Sequence, residues 1–288
     1  MSNINSAGHS LMIFSARLDR KPGPVACLLI FFSLLLCLGA QARASDDPLR
    51  YCYEERHYNP YTLGNDVVPS HSPGILVELV TDAMGRAGRT VEFYRRPWKR
   101  CIVDLQDGVA DGIFPSIWAP ERDRWGLFPK ALKQGKLVID PAFRLWQASY
   151  HIYSNVDRIP IWNGQQFSAV PLGIGTPLGY LAAKKLQDDG VFNRHVTDPY
   201  NAFHLLELNK LDGFVIDFQI GQRMVAEMNL VKKISHHREP YFNADWYLVF
   251  SRQRAQSEPD LPMQVWKQMA KIRAENKQKY LEAYVNMP

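Results

Sequence analysis

Apolar residues in the first third of the chain alternate between strand-like and helix-like spacing. Residues 50–54 and 90–94 are short β-rich runs, and the apolar positions between them recur every three or four residues. A Ser72-Pro73 pair before that recurrence is typical of a helix start. The pattern predicts a strand, a helix and a second strand.

The same order continues beyond the second strand. Residues 97–108 place apolar side chains on one helical face between a proline and a glycine, and residues 112–116 form another apolar run. A β-α-β-α-β order is typical of a mainly parallel sheet.

Proline and polar residues at 129–164 interrupt the pattern, and a second set of strands and helices follows. The predicted strands are 170–174, 213–216 and 246–251. The predicted helices are 176–187, 198–209, 218–228 and an amphipathic tail, 261–285.

The two halves of the chain contain a short similar segment. Residues 110–114 (Ala-Asp-Gly-Ile-Phe) and 211–215 (Leu-Asp-Gly-Phe-Val) each follow a predicted helix and open a buried strand. They place Ser116 and Asp217 at comparable strand ends. Because open parallel sheets bind ligands at the carboxyl ends of their strands, two facing sheets would bring both residues to one cleft.

The N-terminal 44 residues have the pattern of a secretory signal peptide. Arg17, Arg20 and Lys21 precede the apolar run 25–40, and small residues follow at the spacing of a cleavage site. We expect cleavage after Ala42 or Ala44. The alternative is an uncleaved membrane anchor, for which an apolar run of this length is short against a hydrocarbon core of roughly 30 Å.

Composition and charge narrow the function classes. Hydrophobic residues make up 46% of the 288 residues, which excludes a disordered chain. The net charge of +5 arises from 34 basic and 29 acidic side chains, and residues 1–44 contain four of the former and one of the latter. The remaining residues carry 30 basic and 28 acidic side chains, a net charge of +2. A charge this small does not favour nucleic-acid binding. We expect a soluble protein in the periplasm.

Two of the four cysteines, Cys52 and Cys101, lie outside the predicted signal peptide. An even number of cysteines in an oxidising compartment predicts one disulfide, and two buried free thiols are the alternative. Two cysteines alone do not make a metal site, and we expect neither a metal nor a cofactor.

Several short motifs, none of them diagnostic alone, follow one another over most of the chain beyond residue 44. They are residues 58–61 (Tyr-Asn-Pro-Tyr), 74–79, 97–100 (Pro-Trp-Lys-Arg), 107–114, 120–122 (Pro-Glu-Arg) with 128–129, 211–217 and 247–251. In these motifs and their order the chain resembles family 3 of bacterial extracellular solute-binding proteins, the receptors of polar amino-acid ABC importers.

The resemblance implies a fold and a role. The fold is an α/β, two-lobe, type II periplasmic binding protein with lobes joined by two crossover strands: lobe 1 at 45–150, lobe 2 at 151–243, and a return to lobe 1 at 244–288. The role is capture of a small polar ligand, an amino acid or similar molecule, for an ABC transporter permease in the inner membrane. We expect a monomer.

The resemblance also assigns the two charged site residues. Arg122 matches the arginine that binds the ligand carboxylate, a group that a guanidinium can contact with two parallel donors. Asp217 matches the acid that accepts the ligand ammonium. The alternatives are a solvated Arg122, with Arg124 as the nearest substitute, and an Asp217 that caps the helix after it.

The remaining site candidates are mostly aromatic or hydroxyl-bearing. Tyr58 and Trp98 match the two rings that enclose the ligand side chain, and Glu55 matches an acid near them, although core packing or a solvent-facing side chain would explain them as well. The weaker candidates are Tyr61, Ser116, Trp118 and Thr176.

The sequence departs from the family at two positions. Ala119 replaces a usual threonine, and Pro177 removes a backbone N–H that could meet an anion. Both losses concern binding of the carboxylate, so the ligand could be an amino-acid derivative.

Two other function classes stay open. Some relatives of the family are dehydratases, but no catalytic signature surrounds the candidate acid/base residues, and we expect no enzyme. These candidates are Glu54, Glu55, His57 and His71. A sensor that presents its ligand to a receptor would bind in the same way as a transport protein.

Overall fold

The computed structural model of the protein describes residues 47–65, 67–158 and 161–284. The predicted signal peptide lies outside these residues. No helix in the described part of the chain combines the length and the apolar character needed to cross a bilayer.

The first half contains the predicted alternation of strands and helices. Its main elements are β1 (Leu49–Glu54), α1 (Ile75–Arg86), β2 (Val91–Arg96), α2 (Trp98–Gln106) and β3 (Gly112–Ile117). β1 pairs in parallel with both β2 and β3, as the β-α-β-α-β order predicts. The carboxyl ends of β1 and β3 therefore lie at the same edge of the sheet.

The segment between the halves is more regular than its sequence suggests. A 3-10 turn (Pro120–Arg122) follows β3, and a hairpin of β4 (Lys130–Lys133) and β5 (Lys136–Ile139) follows the turn. The long strand β6 (Trp146–Asn155) comes next, within the range that the sequence pattern left without a strand.

The second half begins with two elements that differ from their prediction. The strand β7 has two residues (Ile174–Gly175), and the helix α3 (Leu181–Asp188) begins five residues after Thr176. The hydroxyl of Thr176 donates to the carbonyl of Val215 at 3.0 Å, so it joins the sheet and does not cap a helix.

Four other elements of the second half agree with their predictions: α4 (Pro199–Glu207), β8 (Gly213–Asp217), α5 (Phe218–Glu227) and the tail helix, numbered α7 below (Leu261–Tyr284). The sequence pattern did not predict β9 (Ile234–His236) or the helix α6 (Arg252–Ser257), and β10 (Phe242–Phe250) begins four residues before its predicted start.

Two long strands connect the two ends of one eight-stranded sheet. Its order is β2-β1-β3-β10-β6-β8-β7, with β9 on β6. β10 pairs with β6 along its first half and with β3 along its second half, both antiparallel. The sheet is therefore mixed, and the prediction of a mainly parallel sheet holds for its outer strands alone. α7 returns to the first half and packs against α1.

The structure contains the disulfide that the sequence predicts. Cys52 on β1 and Cys101 on α2 are bonded, with 5.4 Å between their Cα atoms, and both side chains are fully buried. The bond fixes α2 on the sheet beside the end of β1, and residues of both elements line the cavity described next.

Candidate functional site

A small cavity lies where the carboxyl ends of β1 and β3 approach the start of α3. Its free volume is about 40 Å³, room for about three water molecules at roughly 10–15 Å³ each. The lining residues come from both halves of the chain: Glu54, Tyr58, Tyr61, Thr62, Leu76, Trp98, Pro115, Ile117, Arg122, Tyr150, Tyr180, Leu181, Ile220 and Trp246.

Arg122 brings a buried positive charge to this cavity. It ends the 3-10 turn after β3 and is 6% exposed. Its guanidinium donates to the carbonyls of Ile117 and Gly179, each at 3.1 Å, and stacks on Trp125 at 4.6 Å. No carboxylate of the described residues forms an ion pair with it, and burial lowers its pKa. An anionic group would offset this cost because it favours the charged form.

Aromatic side chains form most of the cavity wall. Tyr61 packs edge-on against Trp246, with ring centroids 4.8 Å apart. The indole N–H of Trp246 donates to the Tyr150 hydroxyl at 3.0 Å. The Tyr58 hydroxyl is buried without a hydrogen-bond partner among the described residues. Burial and the nearby charge of Glu54 raise its pKa, and the neighbouring Tyr180 hydroxyl offsets part of this rise. Such a wall excludes water and accommodates a flat or cationic group.

Glu54, at the end of β1, supplies the acidic group of the cavity. Burial, with the nearby charge of Glu55, raises its pKa to about 7. The backbone N–H of Glu55 donates to its carboxylate at 3.2 Å, and the N–H of Trp98 partly offsets the rise in pKa. Within the described ranges, no basic side chain forms an ion pair with it. The cavity thus contains a buried cation and a half-buried acid, and neither has a partner of opposite charge there.

Asp217 lies at the end of β8 and caps α5. Its carboxylate accepts from the backbone N–H groups of Gln219 and Ile220, at 3.0 and 3.3 Å, and from that of Ser149 at 3.3 Å. Burial raises its pKa to about 7, and these donors together with the Tyr61 hydroxyl lower it. Asp217 is 2% exposed and is not among the cavity-lining residues. This is the geometry of the capping alternative, and its ligand role stays a prediction.

Four other sequence candidates lie outside the cavity wall. Glu55 follows Glu54 without reaching the cavity. The buried hydroxyl of Ser116 has no partner among the described residues, while its neighbours in β3 line the wall. Thr176 bonds to the sheet. Trp118 donates to Asp123 at 2.7 Å and lines a different pocket. The sequence candidates that the structure brings together are Arg122, Tyr58, Trp98 and Tyr61.

Contacts between the two halves close the cavity. The bond from Arg122 to the Gly179 carbonyl joins the turn after β3 to the loop before α3. Arg56 forms an ion pair with Asp198, the N-cap residue of α4, and the Asn59 amide donates to Glu227 at 3.5 Å. The structure is therefore that of a closed cleft.

Sequence reasoning missed Glu54, Tyr150, Tyr180 and Trp246 as wall residues. Tyr150 lies in the strand that the pattern did not predict, and Tyr180 lies in the loop that was predicted to be helical. Glu54 could have been predicted from the sequence, because it is the last residue of a predicted strand and ligands bind at the carboxyl ends of such strands.

Comparisons with known proteins find similarity in structure and none in sequence. No protein-family model matches the chain, and no curated protein matches it. A binding component of an ABC transporter from Wolinella succinogenes, complexed with lysine, aligns with a TM-score of 0.63 at 15% identity, over 82% of this chain and 95% of that one.

Two further solved structures are similar. The arginine-, lysine- and histidine-binding protein ArtJ from Geobacillus stearothermophilus gives a TM-score of 0.62 at 14% identity, over 84% of this chain and 96% of that one. A histidine kinase sensor domain with similarity to periplasmic binding proteins gives 0.58 at 16% identity, over 82% and 94%. The chain therefore has the α/β fold of type II periplasmic binding proteins, which confirms the predicted fold class.

Proposed function

We propose that this chain is a periplasmic solute-binding protein that captures a small amino-acid-like ligand and delivers it, as a monomer, to an ABC permease in the inner membrane. One observation carries the proposal. Arg122 and Glu54 line a single aromatic-walled cavity, and neither forms an ion pair within the described part of the chain. The fold supports the same role.

A zwitterion would satisfy both groups. A carboxylate or carbonyl oxygen of the ligand would replace the Gly179 carbonyl on Arg122, whose guanidinium offers paired, charged donors to such an acceptor. The ligand ammonium would meet the Glu54 carboxylate beside Tyr58 and Trp98. Because Arg122 and Glu54 lie in the first half and Tyr180 in the second, a bound ligand contacts both halves at once. Such contacts favour the closed state, since the open state cannot make all of them.

The first experiment compares two arginines. Arg122→Ala should weaken binding of any carboxylate ligand by about tenfold or more, because it removes a buried charge-assisted hydrogen bond. Arg124→Ala should leave the affinity unchanged, since Arg124 is exposed two residues away. A thermal-shift screen of amino acids, amines and small acids identifies ligands, and calorimetry measures them. Equal affinities of the two variants would reject the assignment.

We infer that the protein binds its ligand without converting it. Prolonged incubation of a ligand from the screen with the protein, followed by mass analysis, should return the ligand unchanged. A new product that depends on the protein would instead support the alternative of an enzyme on this scaffold.

A sensor role is the second candidate, favoured by the similarity to the histidine kinase sensor domain. Transport and sensing need the same binding site, so affinity does not separate them. Deletion of the gene should abolish uptake of the labelled ligand if the role is transport. Normal uptake together with a lost transcriptional response would favour sensing.

A further inference from the structure

A second, more open pocket lies directly beside the cavity. Its volume is about 340 Å³, and it shares two wall residues, Ile117 and Leu181, with the cavity. These two side chains, at the end of β3 and the start of α3, separate the compartments. We call the two spaces the inner cavity and the outer pocket.

The volumes of the two compartments limit what each one can hold. Small-molecule sites are typically about 300–1,000 Å³, whereas the inner cavity has about 40 Å³. In the closed molecule the inner cavity therefore accommodates a small charged head and not a large side chain. The outer pocket supplies the missing volume at its boundary.

The walls of the outer pocket suit an apolar body. Trp118, Phe242 and Tyr247 line it together with Ile139 of the β4–β5 hairpin. Aromatic walls of this kind bury apolar surface of a ligand and pack well against another ring.

Lys185 adds a positive charge to the outer pocket. It lies one helical turn after Leu181, so the two side chains share a face of α3. Its ammonium is 5.5 Å from the Phe242 ring centroid and 5.8 Å from that of Tyr241. No carboxylate in the described part of the chain forms an ion pair with it. The acid of the pocket, Asp245, has Arg144 at 3.6 Å. Of these two charged side chains, Lys185 is therefore the one without an ion-pair partner in the described part of the chain.

Building on the proposed function, we infer that the ligand is a dipeptide-like amino-acid derivative that occupies both compartments. Its N-terminal ammonium lies at Glu54 and its first carbonyl at Arg122. Its apolar second side chain passes between Ile117 and Leu181 into the outer pocket, and its terminal carboxylate reaches Lys185. A neutral carbonyl at Arg122 would take the place of the Gly179 carbonyl, which Arg122 contacts at 3.1 Å in this structure.

Calorimetry with glycyl-phenylalanine, glycyl-leucine, their C-terminal amides and the free amino acids tests this inference. The dipeptides should bind at least about tenfold more tightly than glycine, phenylalanine or leucine, and each amide about tenfold more weakly than its acid, because it lacks the charge that pairs with Lys185.

Two neighbouring lysines provide the matched variants. Lys185→Gln should lower the affinity for the dipeptides to the affinity for their amides, and it should leave the affinity for the amides unchanged. Lys184→Gln should change neither affinity, because Lys184 is exposed and pairs with Asp188.

The outcomes separate the two proposals. If free amino acids bind as tightly as the dipeptides, or if both lysine variants behave alike, the dipeptide inference is wrong and the solute-binding proposal stands. If no amino acid, amine, small acid or dipeptide binds, both proposals are wrong.

Discussion

At the scale of single residues, the cavity is defined by Arg122 and Glu54, two charged side chains without an ion-pair partner among the described residues. Removing a guanidinium or a carboxylate from water is costly unless an opposite charge or good hydrogen bonds replace the water. Arg122 finds two carbonyls and Glu54 finds backbone N–H groups, but these neutral partners replace water incompletely. The opposite signs of the two groups indicate a ligand that carries both charges.

We predict that Glu54, and not Asp217, binds the ligand ammonium, and one variant of each residue tests this. Glu54→Gln should lower the affinity for an ammonium-bearing ligand by about 1.5–3 kcal/mol, the value of a hydrogen bond to a charged group. Asp217→Asn should change it little, because Asp217 lies outside the cavity wall and asparagine also caps helices well. Calorimetry on both variants measures this. A larger loss in Asp217→Asn would return the ammonium site to Asp217.

The raised pKa of Glu54 leads to a pH dependence. Only the ionised carboxylate pairs with an ammonium, and the pKa of Glu54 in the free protein is about 7. The affinity should be fully present above pH 7 and should fall about tenfold per pH unit below it, because binding must then release a proton. Titrations from pH 5.5 to 8 should show this slope in the wild type. A slope that persists in Glu54→Gln would assign the titration to another group.

The resemblance assigns the ammonium to Asp217 and places Glu55 near the aromatic rings, whereas the cavity wall contains Glu54. Strand alternation decides which of the adjacent side chains of Glu54 and Glu55 faces the cavity. β1 pairs with β2 up to the Glu54–Arg96 pair, and this pairing turns Glu54 towards the cavity. The register of two strands with each other is a long-range property that a local motif does not contain.

At the scale of elements, the start of a helix was predicted correctly where a capping side chain fixes it and wrongly where packing against another segment fixes it. Asp198 caps α4 as predicted and accepts from the N–H of Asn201 at 2.8 Å. Ser72-Pro73 does not start α1, which begins after Gly74 with φ of 111°. A Cβ on Gly74 would lie 2.4 Å from the Tyr61 carbonyl oxygen, so the helix start is fixed by a contact with another loop.

Strand β6 was missed because its polar side chains are satisfied inside the protein. Ser154 lies 3.2 Å from a ring nitrogen of His237, and the amide of Asn155 donates to the Leu206 carbonyl at 3.1 Å. Buried polar groups need such partners. A pattern of apolar and polar positions gives no sign that these partners exist, since they come from distant elements.

The disulfide should contribute strongly to the stability of the first half. Cys52 and Cys101 are 49 residues apart, and the chain-entropy estimate for such a loop is about 4 kcal/mol. Urea unfolding should show a loss of up to this size on reduction and in the Cys52→Ala, Cys101→Ala double variant. Reductant should not destabilise the double variant further. An unchanged midpoint on reduction of the wild type would contradict the prediction.

At the scale of the whole molecule, polar contacts between the halves hold the cleft closed. Apart from Arg122 and Gly179, the described contacts include the Arg56–Asp198 ion pair, the bond from Asn59 to Glu227 and the bond from Arg223 to the Tyr284 carbonyl. Contacts of this size allow ligand energy to shift the balance between open and closed states. A receptor that must release its ligand needs such a balance.

The Arg56–Asp198 pair provides a direct test of this balance. Its side chains are 41% and 36% exposed, so the pair contributes about 0–1 kcal/mol. Arg56→Asp replaces this attraction with repulsion from Asp198 and should favour the open state. The ligand-free protein should then show a larger radius of gyration in small-angle scattering and a several-fold weaker ligand affinity, because closure costs more. The exchanged pair Arg56→Asp, Asp198→Arg should restore both values. If the single variant keeps the wild-type radius and affinity, closure does not depend on this contact.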